Sequence, residues 1–210
     1  THRRVARFHE GNDMRSILTL LLGLAWLPFG ALADEIPFEG DLEELLAVKI
    51  RTVQHMALNP TIVRAVRRQN ATNLDDGAIA QRDREWRETK ELTQFKWTLQ
   101  QNKAGRLLRR HVDGNPSFNE AFLTDQRGAN VAAFPPTSDY FQGDEEKWSE
   151  SFNGGDGQVF LGPLELDEST GVYAVQVSAP VIAQGDTVGV LVVGVTLDYL
   201  ENKQATDVKP

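Results

Sequence analysis

The chain has 210 residues, 40% hydrophobic and 25% charged, which is the balance of a folded domain and excludes a disordered one. Its formal net charge of -8 argues against nucleic acid or an anionic lipid surface as a partner. It contains no cysteine, so disulfides and thiolate chemistry are excluded and stability must come from packing.

The first patterned segment is MRSILTLLLGLAWLPFGALADE, which begins at Met14. Arg15 gives a positive start, residues 17–27 an apolar run, and Ala31-Leu32-Ala33 a small-x-small cleavage site, so the segment predicts a secretory signal peptide. Pro28 and Gly30 would break a helix where processing needs extended chain. An uncleaved N-terminal anchor is the alternative, and the lack of cysteine excludes lipid attachment there. On this reading residues 1–33 are an upstream extension plus signal, and residues 34–210 form a single exported, periplasmic domain. Without residues 1–33 the chain carries 18 basic against 28 acidic residues, a net of -10.

From Asp41 the apolar residues Leu42, Leu45, Leu46, Ile50, Val53 and Ala57 recur at helical spacing, with Asp41 as cap. Asn59-Pro60 interrupts the pattern, and Thr61 opens a shorter helix that ends in Arg64, Arg67 and Arg68. These arginines fit an anion site or a solvated face matched to the helix dipole, and the second is the simpler. Ile79, Asp83 and Trp86 share a further helical spacing, a polar stretch follows, and AGRLLRRHV is another short helix. Residues 41–112 are thus a helical N-terminal part.

After Pro116 the period changes. FNEAFLTD predicts a strand, DQRG a turn with Gly128 at positive φ, and ANVAAF the returning strand of a hairpin. TSDYFQGDEEKW then interleaves acids with aromatics, and DEEKWSESF predicts a short helix with Trp148 and Phe152 four apart. QVFLG, GVYAVQVSAPVI and TVGVLVVGVTL are the remaining strands, the last two joined by AQGD. The last strand is apolar on both faces and should be central. In the middle one Tyr173, Val175, Val177 and Ala179 point one way, Gln176 and Ser178 the other.

The expected fold is therefore α+β, with a five-stranded antiparallel sheet over residues 118–200. The long N-terminal helix packs on one face, and the TSDYFQGDEEKW loop and short helix close a pocket on the other. FLTDQRG, TSDYFQGDEEKW, the SAPV that ends one strand and the VGVL that opens the next resemble the extracytoplasmic PAS-like sensor domains called Cache or PDC domains. The matching positions are Thr124, Asp125, Gly128, Ser138, Asp139, Tyr140, Gln142, Gly143, Asp144, Glu145, Trp148, Ser178, Pro180, Val181, Gly189, Val190 and Leu191. The resemblance spans about residues 41–200 and is strongest after Phe118. It implies a PAS-like sheet and a small-molecule site between the sheet and the loop and helix above it. It also implies service as the sensing part of chemoreceptors, histidine kinases or cyclic-dinucleotide enzymes. After Leu200 only ENKQATDVKP remains, so a free-standing sensor acting through a membrane-bound receptor or histidine kinase is expected.

The residues expected to bind ligand are Asp139, Tyr140, Gln142, Asp144, Trp148, Tyr173 and Ser178. Carboxylates beside aromatic faces suit an amine-bearing ligand, and Lys147 offers a weaker case for a carboxylate. Family members that bind amino acids carry an Arg before a Trp-Tyr pair here, which DEEKWSE lacks. Structural uses compete at several positions: Asp144 as helix cap, Asp125 as turn residue, Trp148 and Tyr173 as core filling. Asp139, Asp144 and Glu145 could also serve calcium. His55 and His111 are the only histidines after the signal, and no nucleophile, base or metal motif occurs, so neither catalysis nor a cofactor is expected. The contrasting function is a ligand-independent interaction protein that uses the long helix to form a homodimer or dock.

Overall fold

The computed structural model describes residues 41–167 and 172–196, all within one compact unit, Pro37–Pro210. The signal segment and residues 197–210 lie outside the described residues. Helix α1 (Asp41–Ala57) buries Leu46, Val53 and Ala57 of the predicted stripe, with Leu45 and Ile50 half-buried, and also Met56, which the spacing does not single out. Asn59 ends it and caps α2 (Pro60–Asn70), its side chain accepting from the Thr61 amide at 2.8 Å, with Pro60 in the first helical turn where no amide is needed. In α3 (Asp76–Glu88) the buried residues are Ile79, Asp83 and Trp86, and Asp75 caps through the Ala78 amide at 2.8 Å.

The stretch read as merely polar contains α4 (Gln94–Gln101), capped by Thr93, with Leu99 buried. Phe95, Trp97 and Leu99 alternate as in a strand, but Trp97 is exposed and Phe95 and Leu99 reach the core from a helix. Asn102 then ends α4 and caps α5 (Lys103–Asp113), accepting from the Gly105 amide at 2.8 Å.

Strands β1 (Phe118–Asp125) and β2 (Asn130–Phe134) form the predicted hairpin, and Gly128 takes φ +83° in its turn. Helix α6 (Glu146–Phe152) follows, then β3 (Phe160–Asp167), β4 (Val172–Ala183) and β5 (Asp186–Thr196). The five strands make one antiparallel sheet in the order β2-β1-β5-β4-β3. The doubly apolar β5 is central, with Val190, Leu191, Val192, Val193 and Val195 all buried. Gln184 and Gly185 both take positive φ in the β4–β5 turn, the geometry that matches strand twist.

Strand β3 runs further than QVFLG. It continues through Pro163 to Asp167, with a break in register between Leu161 and Leu164. Because β3 is an edge strand, a residue without an amide proton costs it nothing on the open side.

The two sheet faces are covered differently. Phe122, Ala133, Val190 and Val192 face α6, whose Trp148 and Phe152 pack on them. The opposite face receives the N-terminal helices: α1 lies on β4 and β5, α2 on β1 and β5, and α5 on β1 and β2. This α+β arrangement, helices on one face and a short helix on the other, is the one the sequence predicts.

Candidate ligand site

The TSDYFQGDEEKW stretch begins beside the β1–β2 hairpin and is fixed there by its backbone. The Asn130 amide donates to the Tyr140 carbonyl at 3.0 Å, and the Gln142 amide to the Gly128 carbonyl at 2.8 Å. Residues 140–142 therefore run antiparallel to 128–130, which explains the two glycines. A Cβ on Gly128 would stand 2.3 Å from the Gly143 Cα, and a Cβ on Gly143 would stand 2.7 Å from the Arg127 carbonyl oxygen. From the other side Asp83 of α3 accepts from the Tyr140 and Phe141 amides, each at 3.0 Å, and its second oxygen pairs with Arg87 at 2.8 Å. Trp86 donates its indole N–H to the Thr137 carbonyl at 2.8 Å.

This fixing decides where the side chains go. Tyr140 is 0% exposed and packs among Trp86, Phe95, Leu99 and Ile79, with ring centroids 5.3 Å from Phe95 and 6.0 Å from Trp86. Burial raises its phenol pKa, and Arg82 opposes the rise. Gln142 is buried and donates to the Asp139 carboxylate. Asp139 is partly buried; burial raises its pKa, and the neighbouring negative charges of Glu145 and Asp83 add to the rise. Asp144 is exposed and does not cap α6: Glu145 holds the cap position and makes no side-chain cap bond. Asp125 is the predicted turn residue, accepting from the Arg127 and Ala129 amides at 2.9 and 3.0 Å.

Trp148 stacks on Phe152 with centroids 4.9 Å apart and rings 10° from parallel, and donates to the Asp125 carbonyl at 3.3 Å. Ser178 is buried on the α6 side of β4, and its hydroxyl has no hydrogen-bond partner among the described residues. Tyr173 lies on the opposite face and is 51% exposed. Of the seven expected site residues, Asp139, Tyr140 and Gln142 cluster, Trp148 and Ser178 share a sheet face, and Asp144 and Tyr173 stand apart. Of the aromatic faces that would attract a cation beside these acids, that of Tyr140 is fully covered and one face of Trp148 is taken by Phe152. Among the described residues no three carboxylate or imidazole groups gather to hold a metal ion.

An open cleft lies on the helical side. Its volume is about 440 Å³, and its walls are Thr61, Arg64, Ala65, Arg68 and Gln69 of α2, Thr72 and Leu74 after it, Arg82 of α3, Asn102, Lys103 and Ala104 at the start of α5, and Val131 of β2. Four of these are cationic and none is acidic. Arg64 and Arg68 are one helical turn apart, so they share a face, and Ala65 and Ala104 leave the space between the helices open. The inner wall is held to the hairpin: Gln69 donates to the Asp125 carboxylate at 2.9 Å and to the Ala129 and Asn130 carbonyls, and Asn102 donates to the Val131 carbonyl at 2.9 Å. Arg82 lies over the Phe95 ring and reaches the Tyr140 hydroxyl at 3.4 Å. The expected site residue Tyr140 thus touches the cleft from behind.

Sequence reasoning assigned Arg64, Arg67 and Arg68 to a solvated face. All three are exposed; Arg64 and Arg68 also border the cleft, and Arg67 lies outside it. The spacing of Arg64 and Arg68 was the available signal; Arg82 and Lys103, on other helices, gave none. A second cavity of about 530 Å³ lies between the α3–α4 connection and Pro136, Thr137 and Ser138, bordered by Trp86 and Lys96. The Lys96 amine donates to the Thr89 carbonyl and lies over the Trp86 ring, and burial lowers its pKa.

No protein-family model matches the sequence, and no curated protein matches it. Solved structures that the chain resembles are Cache-type sensor domains of chemoreceptors and histidine kinases. One is the ligand-binding domain of the Pseudomonas fluorescens chemoreceptor CtaA in complex with L-serine, at 15% identity and a TM-score of 0.43, over 77% of this chain and 56% of that one. Another is the ligand-binding domain of the Pseudomonas aeruginosa amino acid chemoreceptor PctC in complex with GABA, at 16% identity and 0.42, over 76% and 58%. A third is the sensor domain of the Vibrio cholerae histidine kinase DctB, at 17% identity and 0.37, over 75% and 60%. The chain spans under two thirds of the length of each. Among the described residues no helix is long and apolar enough to cross a membrane. At these identities the neighbours say what the chain resembles, and the question of ligand rests on its own side chains.

Proposed function

We propose that the chain is an exported sensor domain that binds a small molecule and passes the binding event to a membrane-bound receptor or histidine kinase. In this reading residues 1–33 are the export signal, residues 34–210 the mature domain, and the compartment the periplasm. One observation carries it: a cleft of about 440 Å³ is preformed between helices, and its inner wall is hydrogen-bonded to the hairpin and to Tyr140. A concave site with converging polar groups is what metabolite binding requires. Its attachment to the β1–β2 turn gives bound ligand a physical route to the sheet.

The test is a thermal-shift screen of the purified domain against amines, amino acids, carboxylates and purines. Ligand that binds the folded state alone raises Tm by mass action, by about 2.7 kcal/mol of stability at 100 times Kd. The expected result is a concentration-dependent rise with one class. Silence across all four would favour the interaction-protein reading, which has its own support in Leu164, Leu166 and Tyr173, exposed together on β3 and the adjoining strand.

A further inference from the structure

We infer that the ligand of the helical cleft is a small organic dianion, held by Arg64, Arg68, Arg82 and Lys103; this rests on the sensor reading above and names the class of molecule that its site takes. The first ground is the sign of the charge. A protein of net charge -8 has 22 basic residues to distribute, yet four of them line one cleft of about 440 Å³ and no acidic side chain does. Cations so close repel one another, and nothing in the cleft wall neutralises them. Surface cations are ordinarily interspersed with carboxylates, as Arg87 is with Asp83, Arg109 with Asp113 and Arg127 with Asp76 elsewhere in this fold.

The second ground is hydrogen-bonding capacity. Guanidinium groups present planar pairs of donors that match carboxylate or phosphoryl oxygens, and three of the four cations are arginines. Beside them stands Thr61, whose hydroxyl can donate to a further oxygen, whereas that of Thr72 already donates to the Gln69 carbonyl at 2.7 Å. Arg82 is set apart from Arg64 and Arg68, because its position is braced against Phe95 and the Tyr140 hydroxyl. A ligand with negative charge at both ends can engage the α2 arginines and Arg82 together. A singly charged one leaves part of the cluster unpaired.

The third ground concerns the competing site. A cationic ligand would need the acids and rings of residues 139–148, but Tyr140 is fully buried and Trp148 is stacked on Phe152. The open cleft behind Tyr140 is lined by arginines instead.

The experiment is isothermal titration of the full domain at low salt with succinate and inorganic phosphate, against acetate, putrescine and L-serine as controls, repeated with Arg64→Gln, Arg68→Gln and Lys103→Gln. All three positions are exposed, so each variant should keep the wild-type circular dichroism and melting temperature. The expected result is saturable binding of succinate or phosphate, at least 10-fold tighter than acetate, weakened about 10-fold or more by either arginine substitution. Affinity should also fall as sodium chloride is raised, because partly exposed charges are screened. Succinate over phosphate would assign a dicarboxylate, and the reverse a phosphoryl compound. Tight binding of putrescine or L-serine, or dianion binding unchanged in both arginine variants, would overturn the inference and leave the sensor reading standing. No heat with any probe, and no shift in the broader screen, would overturn both. Should one arginine variant fail to fold, Lys103→Gln and the salt series carry the same decision.

Discussion

The segment richest in chemical side chains and the cleft that is open to ligand are different places in this molecule. Residues 137–148 look like a binding loop: four acids and three aromatics within a dozen residues. In the structure Tyr140 and Gln142 are sealed in the helical core and Trp148 is stacked on the sheet. The cleft walls come from α2, α3 and the start of α5, where the sequence shows arginines among ordinary helix residues. A dense local motif has thus gone into holding a backbone crossing, while the proposed recognition surface is assembled from side chains far apart in the chain. What distinguishes them is burial: Asp83 has both its oxygens committed, whereas Arg64 and Arg68 have open space before them.

Mutations can sharpen or break that contrast. The largest loss should come from Tyr140→Ala, which empties a fully buried ring site and should cost about 3–5 kcal/mol in urea denaturation; a cost under about 1 kcal/mol would mean the ring is not structural. Gly128→Ala comes next, since it places a side chain at φ +83° against Gly143 and should cost about 2–3 kcal/mol. Trp148→Ala should cost about 2 kcal/mol, less than Tyr140→Ala because Trp148 is only partly buried and part of its contact is one stacked ring.

Asp139→Asn tests the electrostatics of the loop. The folded-state pKa of Asp139 lies above its ordinary 3.8, so between those values the native state holds the proton more tightly than the unfolded chain does. As pH rises through the folded pKa that advantage is lost, and at neutral pH the ionised group is a burden. The substitution should therefore raise Tm at pH 7, and the gain should shrink as pH is lowered toward 3.8. A gain independent of pH would contradict the assignment. Smallest of all, Arg64→Gln and Arg68→Gln should change stability by no more than about 0.5 kcal/mol each, since both are exposed. A larger loss would make the cleft arginines structural and erase the distinction between the two regions.

The fold was largely legible in the sequence because its signals are local. The turn at Gly128, the doubly apolar β5, the Asn59-Pro60 break and the pairing of Trp148 with Phe152 each act within a few residues. Helix α4 was hidden because its buried pair, Lys96 and Leu99, is a cation and one aliphatic and makes no apolar stripe, and β3 was cut short because Pro163 reads as a strand end unless the strand is known to be an edge. The candidate site was legible only in part. Tyr140 was singled out for its motif and does touch Arg82, but no spacing in the chain announces that Arg82 and Lys103 will face Arg64 across a gap.

The abutting Gly128 and Gly143 have a practical consequence. Where two main chains meet with no side chain between them, their separation cannot be tuned by residue size, so the hairpin tip and the loop move as one piece or not at all. A spin label or fluorophore on the neighbouring exposed Gln126 would ride on that joint and report any ligand-driven shift without disturbing it.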